Sequence, residues 1–383
     1  MRIALFSEVY WPMVSGVGVT LRNLTQALQA RGHEVRVYTG TYHAPDGTPV
    51  PPEVHQSPSV PFFLYPDVQW AFPRTRELMA DLERFQPDVT HVATEFAMGI
   101  AGLKASRQLG VPVVASAHTD YDRYASRYGA EWALRLGWTY LRWFYRQAGR
   151  VLCPSRVYEQ HLWERGIRNT GLWTRGIDCE AFSPRHRSAA YRARFGVGPD
   201  DLLVTYVGRL AAEKDLRLLL EAWTALGAGR GNAQLVLVGQ GPMTAEIAAR
   251  RLPGVHLAGL LRGHDLSEAY ASADLFAFPS TTETFGNVVL EAMASGLAPV
   301  VAGTGGMLDF CRDGGNSLLH APGSTAHLAD QLGRLLTDPA LRRRIVEGAM
   351  ETARGRRWDT IWEGVIAEYD RVAALRGRRL IAA

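Results

Sequence analysis

Lysine is almost missing from this chain: of its 42 basic residues, 40 are Arg and only Lys104 and Lys214 are Lys. A sequence that meets nearly every need for a cation with a guanidinium spends an ammonium where a compact point charge is wanted. Cysteine is scarce as well. Cys153, Cys179 and Cys311 are odd in number, with no CxxC spacing and no His pair nearby, so neither a disulfide framework nor a zinc site is expected and a reducing cytoplasm fits. No apolar run approaches the ~18 residues of a membrane span, and the N-terminal run Ile3 to Phe6 is too short for the core of a signal peptide. A large charge of one sign is also lacking. The formal net charge is +4 and is spread along the chain, which argues against nucleic acid as a partner.

What is present is a large apolar content, 47% of 383 residues, enough for two cores and therefore two domains. The first part alternates short apolar runs with amphipathic stretches: Ile3 to Phe6, Val19 to Ala30 with Gly32 as a stop, Glu34 to Tyr38, Asp88 to Val92, Ala101 to Leu109 and Val111 to Ala115. Repeated strand-helix-strand units predict an α/β fold with a doubly wound parallel sheet. A second series, from Leu202 to Tyr206 through Pro299 to Ala302, predicts another. Tyr42 to Pro73, with eight prolines, reads as an irregular connection, and the polar, Arg-rich stretch Asp178 to Asp201 reads as the linker. The tail Ala340 to Arg379 has a helical pattern.

Four constellations carry chemistry. The sharpest is Phe278-Pro-Ser-Thr-Thr-Glu283-Thr-Phe285-Gly286-Asn287-Val288-Val-Leu-Glu291, which follows an apolar strand and opens a helix. The amides of Phe285, Gly286 and Asn287 then stand at a helix N-terminus, a site for an anion. Glu291 falls among apolar helix residues, where a carboxylate wants a hydroxyl partner such as a ribose diol. The second is Gly208-Arg209-Leu-Ala-Ala-Glu213-Lys214-Asp215, between a strand and a helix, where the planar fork of Arg209 and the point charge of Lys214 complement a pyrophosphate.

The third is the first loop, Glu8 to Thr20, whose Gly16, Val17 and Gly18 allow close approach of the backbone to a ligand without the GxGxxG spacing of dinucleotide sites. The fourth is His118-Thr119-Asp120-Tyr121 at the end of a strand, positioned to bind sugar hydroxyls or assist proton movement. Trp132, Trp138, Trp143, Phe144 and Tyr145 among Arg135, Arg142, Arg146 and Arg150 form either a lipid-surface face or a core stripe with a solvated edge.

On the first loop from Tyr10 to Thr20, His118 to Tyr121, Gly208 to Lys214, the Glu283 and Glu291 pair and Gly305-Gly306, the whole chain resembles family 4 of the retaining glycosyltransferases. That family includes bacterial phosphatidylinositol mannosyltransferases and the sulfoquinovosyl- and glycosyl-diacylglycerol synthases. The resemblance implies the GT-B fold, two Rossmann-like domains facing a cleft. Residues 1–178, joined by a C-terminal helix 357–383, would bind the acceptor, and residues 179–356 the nucleotide sugar.

The resemblance further implies Arg209 and Lys214 on the donor pyrophosphate, the amides of residues 285–288 completing its cradle, Glu291 on the ribose and Glu283 on sugar hydroxyls. Gly16, Val17 and Gly18 would face the donor phosphate, and His118, Asp120 and Tyr121 the transferred sugar and acceptor. No cofactor and no metal is implied, two cations and a helix N-terminus taking that place. Asp309 stands where the family usually has a glutamate after Gly-Gly, and Asn316-Ser317 where it has Asn-Gly; the shorter Asp309 changes the reach to the sugar hydroxyls. The expected function is transfer of a hexose with retention, from GDP-mannose or a UDP-hexose, to a lipid or glycolipid acceptor at the cytoplasmic membrane face. A soluble acceptor and a non-catalytic nucleotide-sugar-binding protein are the competing readings.

Overall fold

A computed structural model describes residues 1–13, 16–42, 47–62, 65–122, 134–227 and 232–381. Contacts divide the chain into two units, one of Met1–Thr119, Ala130–Thr174 and Asp359–Ala383, the other of Asp120–Gly129 and Arg175–Trp358.

The first unit is built on seven strands: β1 (Arg2–Phe6), β2 (Glu34–Gly40), β3 (Val54–Ser57), β6 (Val89–Val92), β7 (Val113–Ser116), β8 (Arg150–Cys153) and β9 (Thr170–Leu172). They lie in the order β3-β2-β1-β6-β7-β8-β9, all parallel. Helices α1 (Gly16–Ala30), α2 (Thr75–Phe85), α3 (Ala97–Leu109), α4 (Leu134–Arg146) and α5 (Arg156–Glu164) make the crossovers. Crossover helices cover both faces of the sheet, so β6 and β7 are buried throughout with no exposed alternate positions, and the polar Thr90, His91 and Ser116 that they carry are buried with hydrogen-bond partners. Gly110 ends α3 in the left-handed conformation, φ 63°, the stop that the Gly-Val-Pro sequence announces.

The proline-rich stretch Tyr42 to Pro73 is more ordered than expected. It supplies β3, which extends the parallel sheet, and an antiparallel pair, β4 (Ser59–Phe62) with β5 (Tyr65–Ala71). β3 itself holds no proline, and Pro61 and Pro66 fall in the two-stranded pair, each strand of which has an unpaired edge where a missing N–H can be accommodated.

The second unit carries β10 (Leu202–Val207), β11 (Ala233–Val238), β12 (Val255–Gly259), β13 (Leu275–Phe278), β14 (Ala298–Ala302) and β15 (Leu318–His320). Their order is β12-β11-β10-β13-β14-β15, again parallel. Here the helices are α6 (Ala189–Ala193), α7 (Leu216–Leu226), α8 (Thr244–Arg250), α9 (Gly263–Ser272), α10 (Asn287–Ala294), α11 (Thr325–Thr337) and α12 (Pro339–Arg354). Asp338 caps α12 by accepting from the amides of Ala340 and Leu341, with Pro339 at its first position, a strong helix start.

Asp178 to Asp201 is not a free linker. Arg192 is buried and donates to Ser272 O, Gly198 O, Asp201 O and, at 2.9 Å, to Asp274 Oδ2. A buried guanidinium satisfied on this many sides fixes the segment to β13 and its neighbours. The helical tail is two helices, α12 and α13 (Trp358–Ile381), parted at Gly355. Within the first unit α13 places Tyr369 against His91 and Glu368 against Arg150. None of the described helices is long and apolar enough to cross a membrane.

Candidate active site

In an open parallel sheet, ligands bind beyond the carboxyl ends of the strands where the strand order reverses. In the second unit that point lies between β10 and β13, and the loops leaving these two strands are the sequence's two best motifs. The loop after β10 is set by backbone bonds: Leu210 N donates to Gln240 O at 3.0 Å, and the buried Tyr206 hydroxyl donates to Arg209 O at 3.0 Å. It then makes a short turn, Ala212–Lys214, and Asp215 enters α7 with φ 55°. A non-glycine residue there costs of order 1 kcal/mol. What holds it is the second loop. Asp215 Oδ2 accepts from the Thr281 amide at 3.2 Å and the Thr281 hydroxyl at 2.8 Å, while Thr282 Oγ1 donates to Glu213 O at 3.2 Å.

This stitching brings Lys214 Nζ to 2.5 Å from Glu283 Oε1, and Ser280 Oγ donates to the same oxygen at 3.0 Å. Both side chains of the ion pair retain 18% exposure, so they are desolvated enough to attract strongly and open enough to meet a ligand. Arg209 is half-buried on the same loop.

The chain then turns into α10 at Gly286, φ 98°. A Cβ here would stand 2.6 Å from Met307 Cγ, and one at Gly306 would stand 1.9 Å from Thr284 O. Glycine at both places lets the Gly305-Gly306 segment pack backbone to backbone against residues 283 to 285, with Gly306 N donating to Glu283 O at 2.9 Å. Glu283 is therefore not the helix cap. Gly286 holds the cap position without any side-chain bond, which leaves the first-turn amides available to an anion.

Asn287 and Val288 open that turn, and the Asn287 Oδ1 atom is buried without a hydrogen-bond partner among the described residues. One turn further in, Glu291 is half-buried. Burial raises its carboxyl above the usual carboxylate range, opposed by the Tyr270 hydroxyl, which donates to Oε2 at 2.7 Å. One carboxylate oxygen is thus held by the protein, and the group is aimed.

In the first unit the order reverses between β1 and β6, and the loop after β1 begins with the buried Glu8. Its carboxylate accepts from the Thr94 hydroxyl and from the Met98 amide at the start of α3. Desolvation raises it to about 7 against those bonds. Gly16, Val17 and Gly18 form the first turn of α1. A Cβ at Gly16 would meet nothing within 4 Å, so what glycine leaves there is room above the backbone. Val14 and Ser15 of this loop lie outside the described residues, as does Trp132.

Beyond β7, His118 is half-buried with its Nε2 2.8 Å from Ser116 Oγ and its ring edge-on to Trp173 at 5.5 Å. Asp120 is buried and Tyr121 half-buried. The aromatic stripe divides: Trp138, Phe144 and Tyr145 are core, whereas Trp143 is 49% and Leu136 71% exposed.

The structure therefore places Arg209 and Lys214 on the loop leaving β10, and Glu283, Phe285, Gly286, Asn287, Val288 and Glu291 between the end of β13 and the first turns of α10, with Lys214 and Glu283 in contact; Gly16, Val17, Gly18 and His118 lie at strand ends of the first unit. Sequence reasoning missed the residues that hold these groups. Ser280 and Thr281 stood inside the quoted string, their run of hydroxyls the available signal. Tyr270, 21 positions from Glu291, gave none.

Comparison with known proteins supplies the family. The family model described as Glycosyltransferase Family 4 matches residues 14–181, and that described as Glycosyl transferases group 1 matches residues 201–338. A GDP-mannose-dependent alpha-mannosyltransferase of Mycobacterium tuberculosis is 35% identical, over 99% of this chain and 98% of the relative. An alpha-monoglucosyldiacylglycerol synthase of Streptococcus pneumoniae is 28% identical over 79% of this chain and 71% of its own length. Among solved structures, the sucrose-phosphate synthase of Thermosynechococcus elongatus superposes with a TM-score of 0.79 over 98% of this chain and all of that one, at 22% identity. Two parallel-sheet Rossmann-like units with the crevice motifs in place, and a relative of this identity along the full length, show that the chain belongs to the family 4 glycosyltransferases of GT-B fold.

Proposed function

We propose that this glycosyltransferase moves a hexose, with retention of its anomeric configuration, from GDP-mannose or a UDP-hexose to a lipid or glycolipid acceptor. The observation that carries the reading is the Lys214 and Glu283 pair beside the N-terminus of α10, at the switch point of the second sheet.

In this reading Arg209 and Lys214 take the charge that develops on the leaving diphosphate, and the amides of residues 285–288 complete the cradle. Glu291 accepts from the ribose, Glu283 orients sugar hydroxyls, and His118, Asp120 and Tyr121 line the sugar and acceptor. The bond from the anomeric carbon to the phosphate oxygen breaks as the acceptor oxygen attacks the same face, and the acceptor proton passes to the departing phosphate oxygen. No side chain forms a covalent bond to the sugar. Two cations and a helix N-terminus supply what a divalent metal otherwise would, so activity is expected to persist in EDTA.

A lipid acceptor is supported by the exposed side of α4, where Leu136 and Trp143 emerge beside Arg135 and Arg146. Such a helix lies at an anionic membrane surface with its apolar side chains in the headgroup layer. The mannose and diacylglycerol in the relatives' names favour the same substrates.

The test is calorimetric titration with GDP, UDP and ADP in EDTA. It is followed by incubation with the corresponding hexose donors and diacylglycerol or phosphatidylinositol vesicles, reading the product's anomeric configuration by NMR. Tight binding of one nucleotide and an α-linked glycolipid are expected. A β-linked product, or strict dependence on added metal, would overturn the mechanism.

A further inference from the structure

Four side chains of the first unit form a single buried line of hydrogen bonds. Tyr369, on α13, has its hydroxyl 2.7 Å from His91 Nδ1; His91 Nε2 is 2.8 Å from Ser116 Oγ; and Ser116 Oγ is 2.8 Å from His118 Nε2. Tyr369 and His91 are fully buried and Ser116 almost so. Burial pushes the His91 imidazole down to about 3, so in the folded protein it is neutral and carries one proton.

The direction of such a line is fixed by its end. Tyr369 has one hydroxyl proton and, among the described residues, His91 as the partner of its oxygen. Were His91 to donate from Nδ1, the phenol proton would be left in a dry interior with no acceptor, a loss of about 1–3 kcal/mol in typical proteins. The phenol therefore donates to Nδ1. His91 then holds its proton on Nε2 and donates to Ser116 Oγ. The Ser116 hydroxyl, already accepting from His91, sends its own proton to His118 Nε2.

We infer that Tyr369, His91 and Ser116 are positioning residues that lock neutral His118 in the tautomer with its proton on Nδ1. The inference rests on the proposed placing of His118 beside the transferred sugar and sharpens it. With Nε2 occupied as an acceptor and Nδ1 bearing hydrogen, the locked ring can act toward a sugar oxygen only as a hydrogen-bond donor. Neutral Nδ1–H has no lone pair in the ring plane, so it cannot take the acceptor's proton, which leaves that proton to the departing phosphate. His118 is the residue in contact with substrate; the other three act through it.

The experiment reads the tautomer directly and does not depend on turnover. Long-range proton–nitrogen correlation spectra of the full chain labelled with 15N-histidine separate protonated from unprotonated ring nitrogens. They are recorded near pH 8.5, about two units above the usual imidazole range, with the His118 signal assigned by its loss in His118→Gln. The expected result is His118 protonated on Nδ1 and His91 on Nε2. Ser116→Ala should move His118 toward the Nε2-protonated form that unconstrained imidazole side chains prefer, and should lower kcat by about tenfold while GDP or UDP binding stays at the wild-type level.

Tyr369→Phe, which keeps the ring and removes the proton that sets the direction, should shift the same signal less. Wild-type His118 protonated on Nε2, or a Ser116→Ala protein with an unmoved His118 signal, would overturn the inference. An intact tautomer in a protein that transfers no sugar would instead refute the proposed function and leave the lock standing.

Discussion

Lys214 Nζ and Glu283 Oε1 are bonded at 2.5 Å although their residues are 69 positions apart. The cation assigned to the leaving phosphate and the acid assigned to the sugar are thus one unit. In the proposed function an entering donor would draw the ammonium toward its diphosphate while Glu283, still held by Ser280, turned to the hydroxyls. Each group keeps the other in place.

Lys214→Ala is therefore expected to lower kcat by about 100-fold or more, the size of effect seen when a charge-stabilising donor is removed. Thermodynamic stability should fall by only about 1–2 kcal/mol, because Glu283 keeps its serine partner and some solvent. Lys214→Arg should restore little, since a planar fork does not replace an ammonium at this distance. Steady-state kinetics alongside urea unfolding decide the matter, and near-wild-type turnover in the alanine variant removes Lys214 from the phosphate site.

Glu291 is held by Tyr270 at one oxygen and is expected to accept from the ribose with the other. Glu291→Ala should weaken nucleoside diphosphate binding by about 10–100-fold, the loss of one or two charge-assisted bonds. Titration with 2′-deoxy and 3′-deoxy nucleotides localises the effect: a deoxy nucleotide that binds the wild type poorly should bind wild type and variant alike. Unchanged affinity of the natural nucleotide for the variant would exclude a ribose contact.

Gly286→Ala places a Cβ 2.6 Å from Met307 Cγ on a backbone with φ 98°. Backbone strain alone costs about 1–3 kcal/mol, and relief by moving Met307 disturbs the Gly305-Gly306 segment. The variant should unfold at lower urea concentration and bind nucleotide more weakly. Unaltered stability would mean that this turn is not the rigid element described.

Glu8 supplies a pH dependence. Its carboxyl titrates near 4.5 in an unfolded chain and near 7 in the fold. Between these values the folded state holds a proton that the unfolded state has released. The contribution is full below about pH 4.5 and disappears as pH rises through 7, amounting to about 3 kcal/mol at 1.36 kcal/mol per unit. The wild type should lose stability over this window relative to Glu8→Gln, which cannot ionise. Parallel curves for the two proteins in denaturant titrations from pH 4 to 8 would refute the raised value.

The fold was legible where periodicity and punctuation agreed. The run Leu202 to Tyr206 falls one residue short of β10, and the apolar strand expected ahead of Glu283 is β13. The loops that carry Lys214 and Glu283 were legible for a related reason: they leave the carboxyl ends of those two strands, where the strand order reverses.

What escaped was order imposed by distant partners. The proline-rich stretch looks irregular locally, yet Val54 pairs with Val37 in the sheet. The stretch after Asp178 looks like a linker because it is polar and rich in Arg, but Arg192 is drawn inside by Asp274, a partner no local pattern reveals. The line from Tyr369 to His118 joins residues 278 positions apart at its longest step and has no sequence signature.

The reach of α13 back into the first unit has a consequence for biosynthesis. Tyr369 follows the whole of the second unit in sequence, so on the ribosome the first sheet cannot acquire this helix until the second unit has emerged. His91 and Arg150 must wait, the one without its phenol and the other without Glu368, while the second unit is made. A nascent chain halted before α13 should thus hold a complete second unit and an incomplete first one, and the last unit to begin folding would be the first to finish.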